Sequence, residues 1–182
     1  MKELALHILD IVQNSIQAEA NRIHIQIEED TQKDLLKITI SDNGKGMDQA
    51  FLKRVTDPFT TTRTTRRVGL GLPLMKQAAV ECNGNLAIES GPETGTTVSI
   101  WFQHSHIDRA PLGNMADTIA AVLMNGDHFD LKYQHWVNQK CITFDTMEIR
   151  QVLEDVPINH PDVVEWVRQS MQEKIEQLYN QI

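Results

Sequence analysis

The sequence predicts an α+β fold on three observations. An amphipathic helix opens the chain, runs of alternating hydrophobicity follow it, and glycine turns separate the runs. Residues 2–18 carry Leu4, Ile8, Ile11, Val12 and Ile16 as apolar positions, while His7, Asp10 and Asn14 share another face at the helical period. The run 22–28 alternates with Ile23, Ile25 and Ile27 on one side, and 35–41 alternates again across a polar turn. Two such runs with a short link imply an antiparallel pair. Asp42-Asn43-Gly44-Lys45-Gly46-Met47 forms a glycine-rich turn, and a short helix is expected near 48–55. Residues 56–68 lack periodicity and read as a loop. A helix from Gly69 to about Glu81 turns Leu72, Met75, Ala79 and Val80 towards a core. Strands over 85–90 and 96–102 are bounded by Asn83-Gly84 and by the Gly91–Gly95 turn.

Past residue 103 the pattern changes. Pro111 and Gly113 precede a helix near 114–124, and 131–137 with 140–145 reads as a hairpin about Asn138-Gln139. Helices follow over about 146–154 and 161–180, the second opened by Asn159-His160-Pro161. Two units are therefore expected, 1–103 and an α+β appendage over 104–182. Tyr133, Trp136 and Trp166 are assigned to packing, and the scattered histidines to no metal site. Helix 161–180 offers a surface for a homodimer.

Composition narrows the function. With 41% hydrophobic and 23% charged residues in 182, the chain reads as globular. A net charge of −8 speaks against nucleic acid as partner, because phosphate neutralisation needs a basic surface. Twelve of the acidic side chains, against six basic ones, lie after residue 103. Cys82 and Cys141 have no short-spaced companion, so neither a zinc site nor a disulfide scaffold is expected. Glu3, His7 and Asp10 interrupt the first apolar stretch, so no signal peptide, no membrane span and a cytoplasmic location are expected.

Three patches carry chemistry. Asp10 and Asn14 lie one helical turn apart and can face the same pocket. A carboxylate there can orient a water, and an amide oxygen suits Mg²⁺. Asp42 at a strand end can accept from an exocyclic amine, with Gly44 and Gly46 permitting close approach. Gly69, Leu70 and Gly71 open a helix whose backbone N–H groups attract phosphate, and Arg63, Arg66 and Arg67 precede them. Each patch alone also has a plain reading as a wet helix face, a tight turn or a solvated charge run.

The order of the patches resembles the gyrase, heat-shock chaperone, histidine kinase and mismatch-repair superfamily (GHKL), in its histidine-kinase-like and anti-sigma-factor-kinase-like branch. Residues 7–18 resemble its N box, DNGKG its first glycine box, 57–63 its F box and 68–74 its second glycine box, with 95–102 like its closing strand. The resemblance covers about 4–102. It implies a Bergerat-type two-layer α/β sandwich with a mixed, largely antiparallel sheet, binding ATP and Mg²⁺. By it Asn14 ligates the magnesium, and Asp42 takes the adenine amine with support from Thr96. Met47 packs by the base, Gly69, Leu70 and Gly71 face the phosphates, and in an enzyme of this kind Arg63, Arg66 or Arg67 would steady the γ-phosphate. Residues 57–68 form a lid with Phe59 as its anchor.

One departure bears on activity. Hydrolysing members carry Glu four residues before the Asn, and this chain has Asp10, one methylene shorter. The ATP-binding unit is expected to begin at residue 1, and with it a stand-alone form without a phospho-accepting hairpin. Two functions follow. One is a weak or partner-dependent ATPase or Ser/Thr kinase acting on a protein, with Asp10 as base. The other is a non-catalytic, nucleotide-dependent interaction module, a type often encoded with redox enzyme subunits.

Overall fold

The computed structural model describes residues 2–55 and 71–180. In chain order the elements are α1 (Leu4–Gln17), β1 (Arg22–Asp30), β2 (Leu35–Asp42), α2 (Gln49–Val55), α3 (Gly71–Glu81), β3 (Asn85–Ser90) and β4 (Thr96–Gln103). They continue with α4 (Met115–Leu123), β5 (Asp130–Val137), β6 (Lys140–Asp145), α5 (Thr146–Leu153) and α6 (Pro161–Asn180). The described strands build one six-stranded sheet in the order β3-β4-β2-β1-β5-β6. Only the β1–β5 pairing is parallel.

The sheet has one dry face. Ile23, Ile25 and Ile27 of β1 meet Ile40 and Ile38 of β2, which in turn meet Val98 and Ile100 of β4. All of these apolar side chains are buried. Period-two alternation sends the intervening Gln26, Thr39 and Ser99 to the other, half-exposed face. The described helices therefore cover one side, and the described residues form a two-layer sandwich. α1 applies Leu4, Ile8, Ile11 and Val12 to the core, α3 applies Leu72, Met75 and Ala79, and α6 applies Val163, Val167 and Met171. α4 lies between α1 and α6 and is buried along most of its length, which accounts for its lack of a polar stripe. Val80, expected in the core, is 54% exposed at the end of α3.

The tail hairpin joins the main sheet. Ile23, Ile25 and Ile27 stand opposite Leu131, Tyr133 and His135 in register, so β5 continues the same dry face. The start of α1 has no capping side chain. Its first N–H groups are met by the segment before α4, with Leu4 donating to the Pro111 carbonyl at 3.0 Å and Ala5 to that of Leu112 at 2.8 Å. α4 itself is capped by Asn114, which accepts from the Asp117 N–H at 3.0 Å. Of the aromatic residues assigned to packing, Tyr133 is fully buried. Trp136 and Trp166 are corrections: they are 36% and 57% exposed. Trp136 stands on the open sheet face opposite Cys141, and the α6 register turns Val163 and Val167 inward while Trp166 points away.

Candidate functional site

Asp42 is the last residue of β2 on the dry face, following Ile38 and Ile40 at the strand period. It sits where the helix layer parts from the sheet, and both of its oxygens are fixed. Oδ1 accepts the Gly44 N–H at 2.8 Å, and Oδ2 accepts the Ser15 hydroxyl at 2.6 Å. A carboxylate has about four lone-pair sites, so two contacts leave capacity for a donor arriving from the cavity. Ser15 was not singled out from the sequence, yet a signal existed. It continues the buried stripe Leu4, Ile8, Ile11, and a hydroxyl on an apolar stripe needs a partner.

Asp42 opens into a cavity of about 250 Å³ between α1, β2, β4 and the helices α2 and α3. Ile11, Ile40, Met47, Phe51, Leu72 and Val98 give it apolar walls, and Asn14, Asp42 and Thr96 supply convergent polar groups. A mostly apolar hollow with a few placed polar atoms is the ordinary form of a small-molecule site. Thr96 lies opposite Asp42 across the β2–β4 ladder, and its hydroxyl is 2.9 Å from that of Ser90. Ser90 also accepts the Met47 N–H at 2.9 Å, tying the glycine turn to the β3–β4 edge. Ser90, too, was missed in the sequence. The side-chain amide of Asn14 has no hydrogen-bond partner among the described residues, although the residue is half-buried at the cavity wall.

The turn glycines have a structural requirement. A Cβ on Gly46, at φ +70°, would lie 1.9 Å from the Gly91 carbonyl oxygen, and one on Gly44 would lie 2.7 Å from that of Ala18. Backbone packing against the 91–95 turn and the end of α1 is thus sufficient cause for both. Gly46 borders the cavity, whereas Gly44 is absent from its walls. Gly71 differs: its Cβ would meet Asp10 Cβ and Oδ2 at an ordinary 3.6 Å. Asp10 therefore faces the N-terminus of α3. It is exposed and lies outside the cavity wall, one turn before Asn14. Arg63, Arg66, Arg67, Gly69, Leu70, Phe59 and the rest of the expected lid lie outside the described residues. His7, beneath α3, has its Nδ1 buried without a hydrogen-bond partner among the described residues.

No cluster of His, Cys, Asp and Glu among the described residues could hold a metal by itself. An amide oxygen such as that of Asn14 fits a hard cation that brings most of its own oxygen ligands, as Mg²⁺ does with phosphates. No described helix is long and apolar enough to cross a membrane.

A family profile described as histidine kinase-, DNA gyrase B- and HSP90-like ATPase matches residues 2–106, more than half of the chain. The sensor protein kinase FleS of Pseudomonas aeruginosa is 39% identical over 93 residues, covering 51% of this chain and 23% of that protein. A probable C4-dicarboxylate sensor kinase of Bacillus subtilis is 36% identical over 88 residues, covering 48% and 16%. The chain thus spans less than a quarter of the length of these curated relatives. Among solved structures, the MutL ATPase domain of Aquifex aeolicus complexed with ADP superposes with a TM-score of 0.51 at 13% identity. The match covers 85% of this chain and 70% of that one, and it is a likeness of fold.

Proposed function

The chain belongs to the histidine kinase-, DNA gyrase B- and HSP90-like ATPase family, and from that premise we propose that it binds Mg-ATP with weak or partner-dependent phosphate chemistry. The observation that carries the reading is Asp42, a carboxylate held by Ser15 and Gly44 at the polar end of an apolar cavity. Ile40, Met47 and Val98 would hold the adenine, and Asp42 would accept a hydrogen bond from its amine. Thr96 orients that contact through its hydroxyl. Asn14, whose side-chain amide has no hydrogen-bond partner among the described residues, would hold the magnesium that accompanies the phosphates, and the cation would supply charge neutralisation there. By the family resemblance the segment Gly69, Leu70 and Gly71 would supply backbone N–H groups to the phosphates, and Arg63, Arg66 or Arg67 would steady the γ-phosphate.

Asp10 is the candidate base, and its variant tells activity from binding alone. It lies beside the α3 N-terminus, where phosphate would approach, but outside the cavity. A general base must come within about 3 Å of its water, directly or through a second one, and Asp reaches less far than Glu. This favours slow or partner-completed catalysis. It equally supports the second reading, a nucleotide-dependent interaction module that acts through binding.

Incubation with γ-labelled ATP and Mg²⁺, scoring bound label, released phosphate and labelled protein, tests the proposal. Retained ATP with little release is expected from the isolated chain. Release abolished by Asp10→Asn with binding intact establishes an ATPase, and release unaffected by that change removes Asp10 as base. No ATP binding by the folded parent chain overturns the proposal.

A further inference from the structure

The second half of the chain contains a groove that the nucleotide site does not use. β6, α5 and α6 enclose a cleft of about 100 Å³. Buried Phe144, Val167 and Met171 form its floor, and Ile149 and Trp166 line its sides. That volume suits one aliphatic side chain. Trp166 keeps 57% of its surface in solvent at the rim. Apolar surface continues beyond the cleft along α5 and its exit, through Val152, 82% exposed, and Val156, 45% exposed. An exposed tryptophan beside a side-chain-sized hollow has the composition of an interface anchor.

The rim is acidic. Glu148 lines the cleft, and Glu154 and Asp155 follow α5; all three are exposed and form no ion pair among the described residues. Of the nearby arginines, two are committed to ion pairs, and Arg22 donates to the Met147 sulfur of α5 at 3.4 Å. Arg150 pairs with Asp127 and Asp130, and Arg168 pairs with Glu165 and Asp117. Lys174 is the cationic residue in the lining. A second copy of this chain would bring the same carboxylates to the contact and a net charge of −8 with them, so like charges oppose self-docking.

We propose that the α5–α6 groove docks a basic amphipathic helix of a partner protein. One aliphatic side chain of that helix enters the cleft beside Trp166, and flanking Lys or Arg residues face Glu148, Glu154 and Asp155. A groove between two helices receives a helical ligand through anchors spaced i, i+3, i+4 and i+7. The proposal does not depend on nucleotide binding.

A short synthetic helix with leucines at that spacing and lysine flanks is the probe, titrated into the full chain and followed by amide chemical shifts. A glutamate-flanked version is the control. Shifts confined to β6, α5 and α6 are expected, with affinity falling as salt rises. Trp166→Ala, and separately the pair Glu148→Lys and Glu154→Lys, should each weaken binding about 10-fold or more. Their thermal melts and ATP binding should be unchanged, because these side chains are exposed and remote from the cavity. Four results overturn the proposal: no binding of the lysine-flanked helix, equal binding of the glutamate-flanked one, full affinity in both variants, or a homodimer of the parent chain that Trp166→Ala dissociates.

Discussion

At Asp42 and Ser15, two side chains distant in sequence share one short hydrogen bond, 2.6 Å from the Ser15 hydroxyl to Oδ2. Bonds to charged groups contribute about 1.5–3 kcal/mol, so Ser15→Ala should weaken ATP binding roughly 10-fold while Asp42 stays in place. Asp42→Asn should cost more, because an amide nitrogen turned to the adenine amine opposes donor to donor. Calorimetric titration of ATP against both variants checks the order. The glycines give an opposed pair. Gly46→Ala places a Cβ 1.9 Å from the Gly91 oxygen at φ +70°, so a loss of about 2 kcal/mol or more in denaturant melts is expected. Among the described residues, Gly71→Ala meets Asp10 alone, at 3.6 Å, and should leave stability unchanged or raise it by about 0.5–1 kcal/mol, as Ala for Gly in a helix. If Gly71→Ala nevertheless weakens ATP binding, the glycine serves the phosphates and not the fold.

Among the elements, β1 carries a hydrogen-bond network at the end remote from Asp42. Glu29 accepts from His135 at 2.8 Å on β5 and from His104 at 2.9 Å after β4, and also from the Tyr179 hydroxyl near the end of α6. The Tyr133 hydroxyl lies 2.9 Å from the other ring nitrogen of His135. Burial alone would raise the Glu29 carboxyl, but the hydrogen bonds from His135, Tyr179 and His104 outweigh it and hold the group at about 2. A carboxyl depressed from 4.5 to about 2 stabilises the fold fully above pH 4.5, and that stability is lost as the pH falls through this window. The contribution at neutral pH is on the order of 3 kcal/mol. Glu29→Gln should therefore lower stability near neutrality and flatten its decline between pH 4.5 and 2, read by chemical melts across pH. Tyr179→Phe should loosen the end of α6 first, seen as faster amide exchange there.

At the scale of the whole molecule, the two halves share a sheet and a helix start. β1 pairs in parallel with β5, and the first turn of α1, the helix bearing Asp10 and Asn14, is closed by the carbonyls of Pro111 and Leu112. Removing 104–182 would make β1 an edge, uncover Ile23, Ile25 and Ile27, and free the α1 N–H groups. Each such side chain contributes about 1.5–3 kcal/mol when buried, and an open apolar edge invites association. The fragment 1–103 should accordingly aggregate and lack a cooperative melt. A monomeric fragment that melts cooperatively would establish the first half as a domain on its own.

Local periodicity alone determined much of this protein. The isoleucine alternation in β1 and β2 and the stripe on α1 are short-range patterns set by backbone geometry, and the hydrophobic effect reads them the same way wherever the element docks. The placement of Asp42 at a strand end was legible for the same reason. Only the tertiary structure decided what meets across long separations. Ser15 closes on Asp42, Gly46 is confined by Gly91, and β5 enters beside β1 in parallel while Trp166 turns outward. A strand's period states which face is dry but not which strand lies next to it, and that choice belongs to packing of the whole chain.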